Sequence, residues 1–521
     1  MKSAIYNEVA LVLLASKLLG RPVKWTSTRN EAFLGDAQAR DNVTDAELAL
    51  DRDGHFLGLR VHTIAAVGAY PQANSNVFVA NLGTLAGVYR TPACFAEVTA
   101  VFSNTNPVRP YRGNGRPEAA FVIERMVELA ARELGVEATE LRRKNYISPA
   151  AMPFKTGLTF TYDSGEFEKN MDLALAAADV KGFKARKAAS RKEGKLRGLG
   201  LSNTIERAGA ASLEGAEVRF DRAGTVTLYS GSNNQGQGHE TIFKQLVCDR
   251  LGLDPNEAQY IQGDTDEVFF GEGTGGSRSA TLAGSAFHMA TEKIVAKARK
   301  IAAHALEAAE DDIEFADGTF RVVGTDRAVS LKDTAQAAYV PARLPEGLET
   351  GLYEVASFSP EVPNFPNGCH VCEVEIDPET GTTRVLRYVV VDDVGTVINP
   401  LTLEGQIHGG VAQGIGQAFT EHLVYDERLG QPLSGSFMDY GLPRADEVCS
   451  FEMDENPVPT KTNPLGVKGA GEAGNVGALA AIMNAIVDAL SPLGIAHIDM
   501  PATPEKVWRA IREKQGRWPK W

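Results

Sequence analysis

The sequence predicts an α+β fold in which strand hairpins alternate with long helices. Three observations lead there. Asp…Gly turn signals are flanked by alternating apolar residues, several long segments carry helical apolar spacing with recognisable ends, and no regular strand–helix–strand repeat builds a parallel sheet. The 521 residues correspond to about three globular units at roughly 150 residues each. Hydrophobic residues at 43% and charged residues at 23% are ordinary for a folded chain and argue against global disorder. The net charge of −14 repels phosphate backbones, so nucleic acid is not an expected partner.

The elements follow in order. Ala4 to Leu19 predicts an amphipathic helix stopped by Gly20 and Pro22, with no strand before it to pack against, and Val23 to Ser27 is extended. Glu47 to Leu50 and Phe56 to Ala66 flank Asp51-Arg-Asp-Gly54 as a hairpin, and Ala96 to Phe102 alternates like a further strand. Pro117 to Leu134 is a helix with Pro in its first turn and Gly135 as C-cap. A short helix, Ala138 to Asn145, follows. The basic stretch Lys181 to Arg197 reads as a solvated interdomain linker. The predicted organisation is therefore a first unit over 1–150, a linker region over 151–200 and a second unit over 201–521. The second unit opens with a hairpin, Val218 to Tyr229, around Asp221-Arg-Ala-Gly224. Helices at His239 to Leu251 and Ala280 to Ala309, a hairpin at Asp377-Pro-Glu-Thr-Gly381, and helices at Asn475 to Leu490 and Pro504 to Lys514 complete it.

Five cysteines make no disulfide framework, and a reducing, cytoplasmic location is expected. Cys369 and Cys372 form a CxxC inside a strand-like run, where residues three apart point to opposite faces, so two packed thiols are expected there. Val476 to Leu490 is the most apolar helix. With Asn484 and Asp488 inside it, it is expected to be a core helix and no membrane span.

Four Gly-rich polar loops stand before helices: Tyr111-Arg-Gly-Asn-Gly-Arg-Pro-Glu118, Asn234-Gln-Gly-Gln-Gly-His-Glu-Thr241, Gly273-Thr-Gly-Gly-Ser-Arg-Ser279 and Gly466-Val-Lys-Gly-Ala-Gly-Glu-Ala-Gly474. His408-Gly-Gly-Val-Ala-Gln-Gly414 is a weaker fifth. Such loops bring backbone amides close to an anion, and a helix N-terminus behind them adds favourable potential. One alone is an ordinary turn. Several together predict a large, polar, phosphate-bearing ligand. Gly469 to Gly474 and Gly271 to Gly276 match G-x-G-x-x-G but lack the buried strand that a dinucleotide fold places before it. There is no Walker A loop, no G-x-S-x-G and no H-E-x-x-H, and nine scattered histidines form no zinc set.

With Gly263-Asp-Thr-Asp266 and Ile498-Asp-Met-Pro-Ala-Thr-Pro504, these motifs occur in the order that resembles the molybdenum-binding large subunit of the xanthine oxidase, aldehyde oxidase and aerobic carbon monoxide dehydrogenase family. The resemblance runs from near Met1 to near Trp508. It implies two molybdopterin-binding domains of the xanthine oxidase large-subunit type, 1–150 being the C-terminal part of the first and 201–521 the second. It implies a molybdopterin, of the cytosine dinucleotide form, whose dithiolene holds molybdenum without protein ligands. Arg112, Gly113, Gly236, Gln237, Gly238, Thr274, Ser277, Arg278, Ser279 and Gln413 would contact this cofactor. Glu472 would be the general base beside the metal, accepting a proton as water-derived oxygen reaches an electron-poor carbon. Without the motif, a Glu at a helix N-terminus is ordinarily a dipole-stabilised surface residue.

Two departures from the family pattern carry expectations. Gly113 stands where carbon monoxide-oxidising members carry a copper-holding Cys, so copper-dependent chemistry is not expected. Asn114 stands in the substrate-stacking position, where it would either hydrogen-bond substrate or pack the loop. The family's N-terminal hammerhead domain and Gly-Gly-Phe-Gly loop would precede Met1. The chain is therefore expected to be a natural half or a truncated product, truncated at the N-terminus of its first domain and working with a chain that supplies the rest. A [2Fe-2S] small subunit and an FAD medium subunit would carry electrons away, since this chain lacks cluster-binding Cys sets. The resemblance implies a molybdenum hydroxylase acting on small molecules, aldehydes or N-heteroaromatic rings. A non-catalytic assembly remnant of the same fold and a nicotinamide-dependent dehydrogenase are the competing readings.

Overall fold

The computed structural model describes residues 6–71, 82–209 and 212–516. Its centre is a four-stranded sheet in the order Phe451–Glu455, Thr383–Asp393, Asn367–Ile376, Leu196–Ile205. Asn367–Ile376 and Thr383–Asp393 form the hairpin expected around Asp377 to Gly381. The pleat of Asn367–Ile376 feeds two cores. Cys369 and Val371 face one apolar cluster, and Cys372, Val374 and Ile376 face another, as alternation requires. Both thiols are fully buried and free.

Against one face lies the helix Ala473–Leu490, in contact with Pro400–Phe419. It begins earlier than the sequence suggested and is long and apolar enough to cross a membrane, yet 78% of its apolar window is buried inside the fold. Two polar residues in its second half are satisfied there. Asn484 accepts from Arg125 Nη1 at 2.8 Å and donates to the Leu201 carbonyl at 2.9 Å, and Asp488 pairs with Lys187 at 2.8 Å. The other face is covered by the helices Arg116–Leu134 and Phe167–Ala177, with Tyr89 and Tyr162 filling the gaps. Within that core the Arg142–Glu124 ion pair is fully buried at 2.7 Å.

A second four-stranded sheet, ordered Tyr353–Phe358, Glu214–Phe220, Val226–Ser230, Gln259–Gln262, packs on His239–Leu251 and Ser279–Ala305. A three-stranded sheet of Asn42–Leu50, Phe56–Gly68 and Ala93–Phe102 carries the first expected hairpin.

Several expectations are corrected. The linker region 151–200 is folded: it holds the helices Phe167–Ala177 and Phe183–Lys192 and enters the central strand Leu196–Ile205. Several of its basic residues are ion-pair partners, Arg186 and Arg197 both reaching the buried Glu373. His408 to Gly414 is no loop but the middle of the helix Pro400–Phe419. Its glycines admit the neighbouring helix, since a Cβ at Gly410 would lie 2.8 Å from Asn475 N and one at Gly414 2.3 Å from Ala478 Cβ. The long helix stops at Ala305, short of Ala309. The first helix spans Asn7–Leu19 (Ala4 and Ile5 lie outside the described residues) and buries none of its residues, leaving Leu11, Leu13, Leu14, Leu18 and Leu19 exposed. Val23 to Ser27 joins no sheet.

Candidate functional site

Each of the four Gly-rich loops leads into a helix, and together they wall a cavity of about 580 Å³. In the first loop, Gly113, Asn114 and Gly115 all take positive φ (95°, 44° and 87°), a tight reversal into the helix Arg116–Leu134. Arg112 leaves this turn as a clamp: its Nε donates to Gly471 O at 2.6 Å, Nη1 to Gln413 Oε1 at 3.1 Å, and Nη2 to Gln406 O at 2.9 Å. In the second loop, Asn234 Oδ1 accepts the backbone N–H groups of Gly236 and Gly238, both at 3.1 Å. In the third, Thr274 donates to Asn233 O at 2.7 Å, and Arg278 folds back on the Glu272 and Gly273 carbonyls. The fourth runs from Gly466 to Glu472, the residue at the N-terminal cap of the helix Ala473–Leu490. Lys468 of this loop is fully buried against Asp393, 2.6 Å away.

Arg112, Gly236, Gln237, Thr274, Ser277, Arg278, Ser279, Gln413 and Glu472 line the cavity. Gly238 lies just behind the wall as the cap of His239–Leu251. Gly113 contributes its N–H to Glu472 Oε1 at 2.8 Å. Asn114 is not among the lining residues: it borders a separate small crevice with Arg40, Arg109 and Glu118. His239 also lines the cavity, and burial pushes it down to about 4, so it is neutral at pH 7.

Glu472 is held through both of its carboxylate oxygens. Its Oε2 is held by Arg116 and by Ser277 Oγ at 3.0 Å. Burial pushes its carboxyl up, but the Arg116 charge, the Gly113 N–H, the Ser277 hydroxyl and a bond from Glu206 outweigh this and leave it below the ordinary Glu range. It is therefore an ionised carboxylate with both oxygens held. Glu206 escaped the sequence reading. It follows the central strand Leu196–Ile205, is 1% exposed, and reaches Arg116 at 3.0 Å and Ser277 at 2.8 Å. Arg116 stood inside a quoted motif but had no role assigned. No local pattern marks either residue, because their partners lie 71 to 356 positions away.

The G-x-G-x-x-G matches fail as a dinucleotide fold. The strand nearest before Gly469 is Phe451–Glu455 and that before Gly271 is Gln259–Gln262, each separated from its match by irregular chain. A bulky phosphorylated pterin fits instead. A Cβ built on Gly236, Gly273, Gly275 or Gly276 would meet nothing within 4 Å, so open space stands in front of their backbone. Gln237, Thr274 and Ser279 offer the mixed donors and acceptors that a pterin edge and phosphate oxygens require.

Fold and cavity together define a molybdopterin-binding protein. The molybdopterin cofactor-binding domain models match residues 1–146 and 173–449. The chain is 38% identical to the carbon monoxide dehydrogenase large chain of Hydrogenophaga pseudoflava, with 98% of this chain and 66% of that one covered. It is also 38% identical to the 6-hydroxypseudooxynicotine dehydrogenase complex subunit gamma of Paenarthrobacter nicotinovorans, with 98% and 65% covered. The solved quinoline 2-oxidoreductase of Pseudomonas putida 86 superimposes with a TM-score of 0.93 at 34% identity, over 98% of this chain and 67% of that one. The chain belongs to the family of molybdenum-binding large subunits that includes xanthine oxidase, aldehyde oxidase and aerobic carbon monoxide dehydrogenase. It spans about two thirds of the length of the curated relatives it matches, 66% and 65% for the two named.

Proposed function

We propose that this chain forms the cofactor-binding part of a molybdenum hydroxylase, with Glu472 as the general base. The carrying observation is the ionised Glu472 carboxylate on the wall of the cavity bounded by the four loops. When bound, the molybdopterin supplies the metal that activates water-derived oxygen and accepts the electrons. The chain's own residues bind and orient. Gln237, Thr274, Ser279 and the open glycine backbone would hold the pterin and its phosphates, and Arg112 and Gln413, which also line the cavity, would contact it as well. Gly113 N–H fixes Glu472 Oε1, while Arg116 and Ser277 fix Oε2, so the base meets its proton in one geometry.

The substrate is an aldehyde or an N-heteroaromatic ring, whose carbon beside oxygen or nitrogen accepts a nucleophile. Copper-dependent carbon monoxide oxidation is not part of the proposal. Gly113 has no thiol, and a Cβ there would fall 2.3 Å from Pro117 Cγ, so this position does not admit a side chain without a shift. The cofactor is the cytosine dinucleotide form. Electrons leave through a [2Fe-2S] subunit and an FAD subunit, and the site is completed by sequence equivalent to the unmatched third of the relatives, in this polypeptide or a second one. Five free thiols accord with a reducing cytoplasm.

The test is metal and pterin analysis of the purified protein together with turnover of aldehydes and N-heteroaromatics. Stoichiometric molybdenum is expected. Glu472→Gln should lower kcat by about 10²-fold or more with the molybdenum content unchanged; near-normal turnover in that variant would remove Glu472 from the mechanism.

A further inference from the structure

The Glu472 carboxylate has a partner that the proposed function leaves without a role. Glu206 is buried among Arg116 and Glu472, with Arg207 next to it in the chain and Arg112 and Glu118 one step behind. Arg116 reaches both carboxylates through Nη2. Ser277 Oγ also lies between them, 2.8 Å from Glu206 Oε1 and 3.0 Å from Glu472 Oε2. A hydroxyl has one hydrogen to donate. If both carboxylates were ionised, Ser277 could satisfy only one, and its oxygen would face the other lone pair to lone pair. The contact closes only when one carboxyl carries a proton. Glu206 is the natural carrier: it is 1% exposed, and the hydrogen bond it makes to the Glu472 carboxylate needs a proton on one of the two acids.

We propose that Glu206 is a positioning residue that carries a proton in the resting site and, through Ser277 and Arg116, keeps Glu472 the ionised member of a one-proton carboxyl pair. The role as partner to a base rests on the proposed function; the shared proton does not. Burial holds the Glu206 carboxyl up at about 8, against the pull of Arg116 and with the help of the Glu472 charge. Two carboxylates this close cannot both ionise freely, so neutrality at Glu206 leaves Glu472 the stronger acid and a fully charged base near neutral pH. Above that range Glu206 ionises and places a second negative charge beside Glu472.

Infrared difference spectroscopy on the full chain tests this directly through the carbonyl stretch of an un-ionised carboxylic acid. The wild type should show such a band at neutral pH, titrating away with a midpoint near 8, and Glu206→Gln should lack it. In Glu472→Gln the midpoint should fall by about one pH unit or more, because a neutral neighbour no longer disfavours ionisation. A band that survives in Glu206→Gln, or a midpoint that Glu472→Gln does not move, overturns the proposal. The Glu472→Gln titration decides the question even if Glu206→Gln does not fold. Absent molybdenum or turnover would defeat the proposed function while leaving this band in place. A missing band in an active, molybdenum-loaded enzyme would defeat only the carboxyl pair.

Discussion

A Cβ added to Gly200 would lie 2.1 Å from the Ala481 carbonyl oxygen and 2.2 Å from Ala485 N. Both are backbone atoms of a buried helix, so the strand or the helix must move to admit a methyl group. Gly200→Ala should therefore destabilise the fold by at least about 1–3 kcal/mol, read as a lower urea midpoint; an unchanged midpoint would show that this interface can relax. The residue scale also shows where sequence reasoning stops. Glu472, Gln237 and Ser277 were legible because each sits in a contiguous run of glycines and small polar residues. Glu206 and Arg116 act through one another and through Ser277 and Glu472, an arrangement that only the folded backbone assembles. Asn114 was placed by family pattern, but it borders a crevice beside the cavity.

Among the elements, those with conventional punctuation were read nearly to the residue. His239–Leu251 and Pro504–Lys514 have the bounds expected from their caps. The helix Pro400–Phe419 was missed because its five glycines resemble a loop, whereas two of them, Gly410 and Gly414, form the groove for its neighbour. The basic stretch before Leu196 resembled a linker because its partners, Glu373 and Asp488, lie far along the chain. Elements also depend on one another through single polar contacts. Asp393 ends a central strand and is the ion-pair partner of Lys468, which is buried in the loop leading to Glu472. Asp393→Ala should cost about 3–5 kcal/mol by stranding a buried ammonium, measured by denaturant unfolding. A loss below about 1 kcal/mol, the size of an exposed pair, would show that water reaches Lys468.

For the molecule as a whole, the α+β class and the motif order were legible, while the packing of two cores on one central sheet was not, since strand order is not written in local pattern. The cavity is a joint property. Arg112, from the region matched by the first domain model, holds Gly471, Gln406 and Gln413 from the other end of the chain. Arg112→Ala should lower the molybdenum retained per chain after gel filtration, with the far-ultraviolet circular dichroism unchanged. Full retention would mean that the loops hold the pterin without this clamp.

That clamp also orders events during synthesis. Arg112 leaves the ribosome some 360 residues before Gly471, as their 359-residue separation records, so no nascent chain that stops short of Gly471 possesses the pocket. Loading of the pterin at the assembled site must follow synthesis of the chain through Glu472.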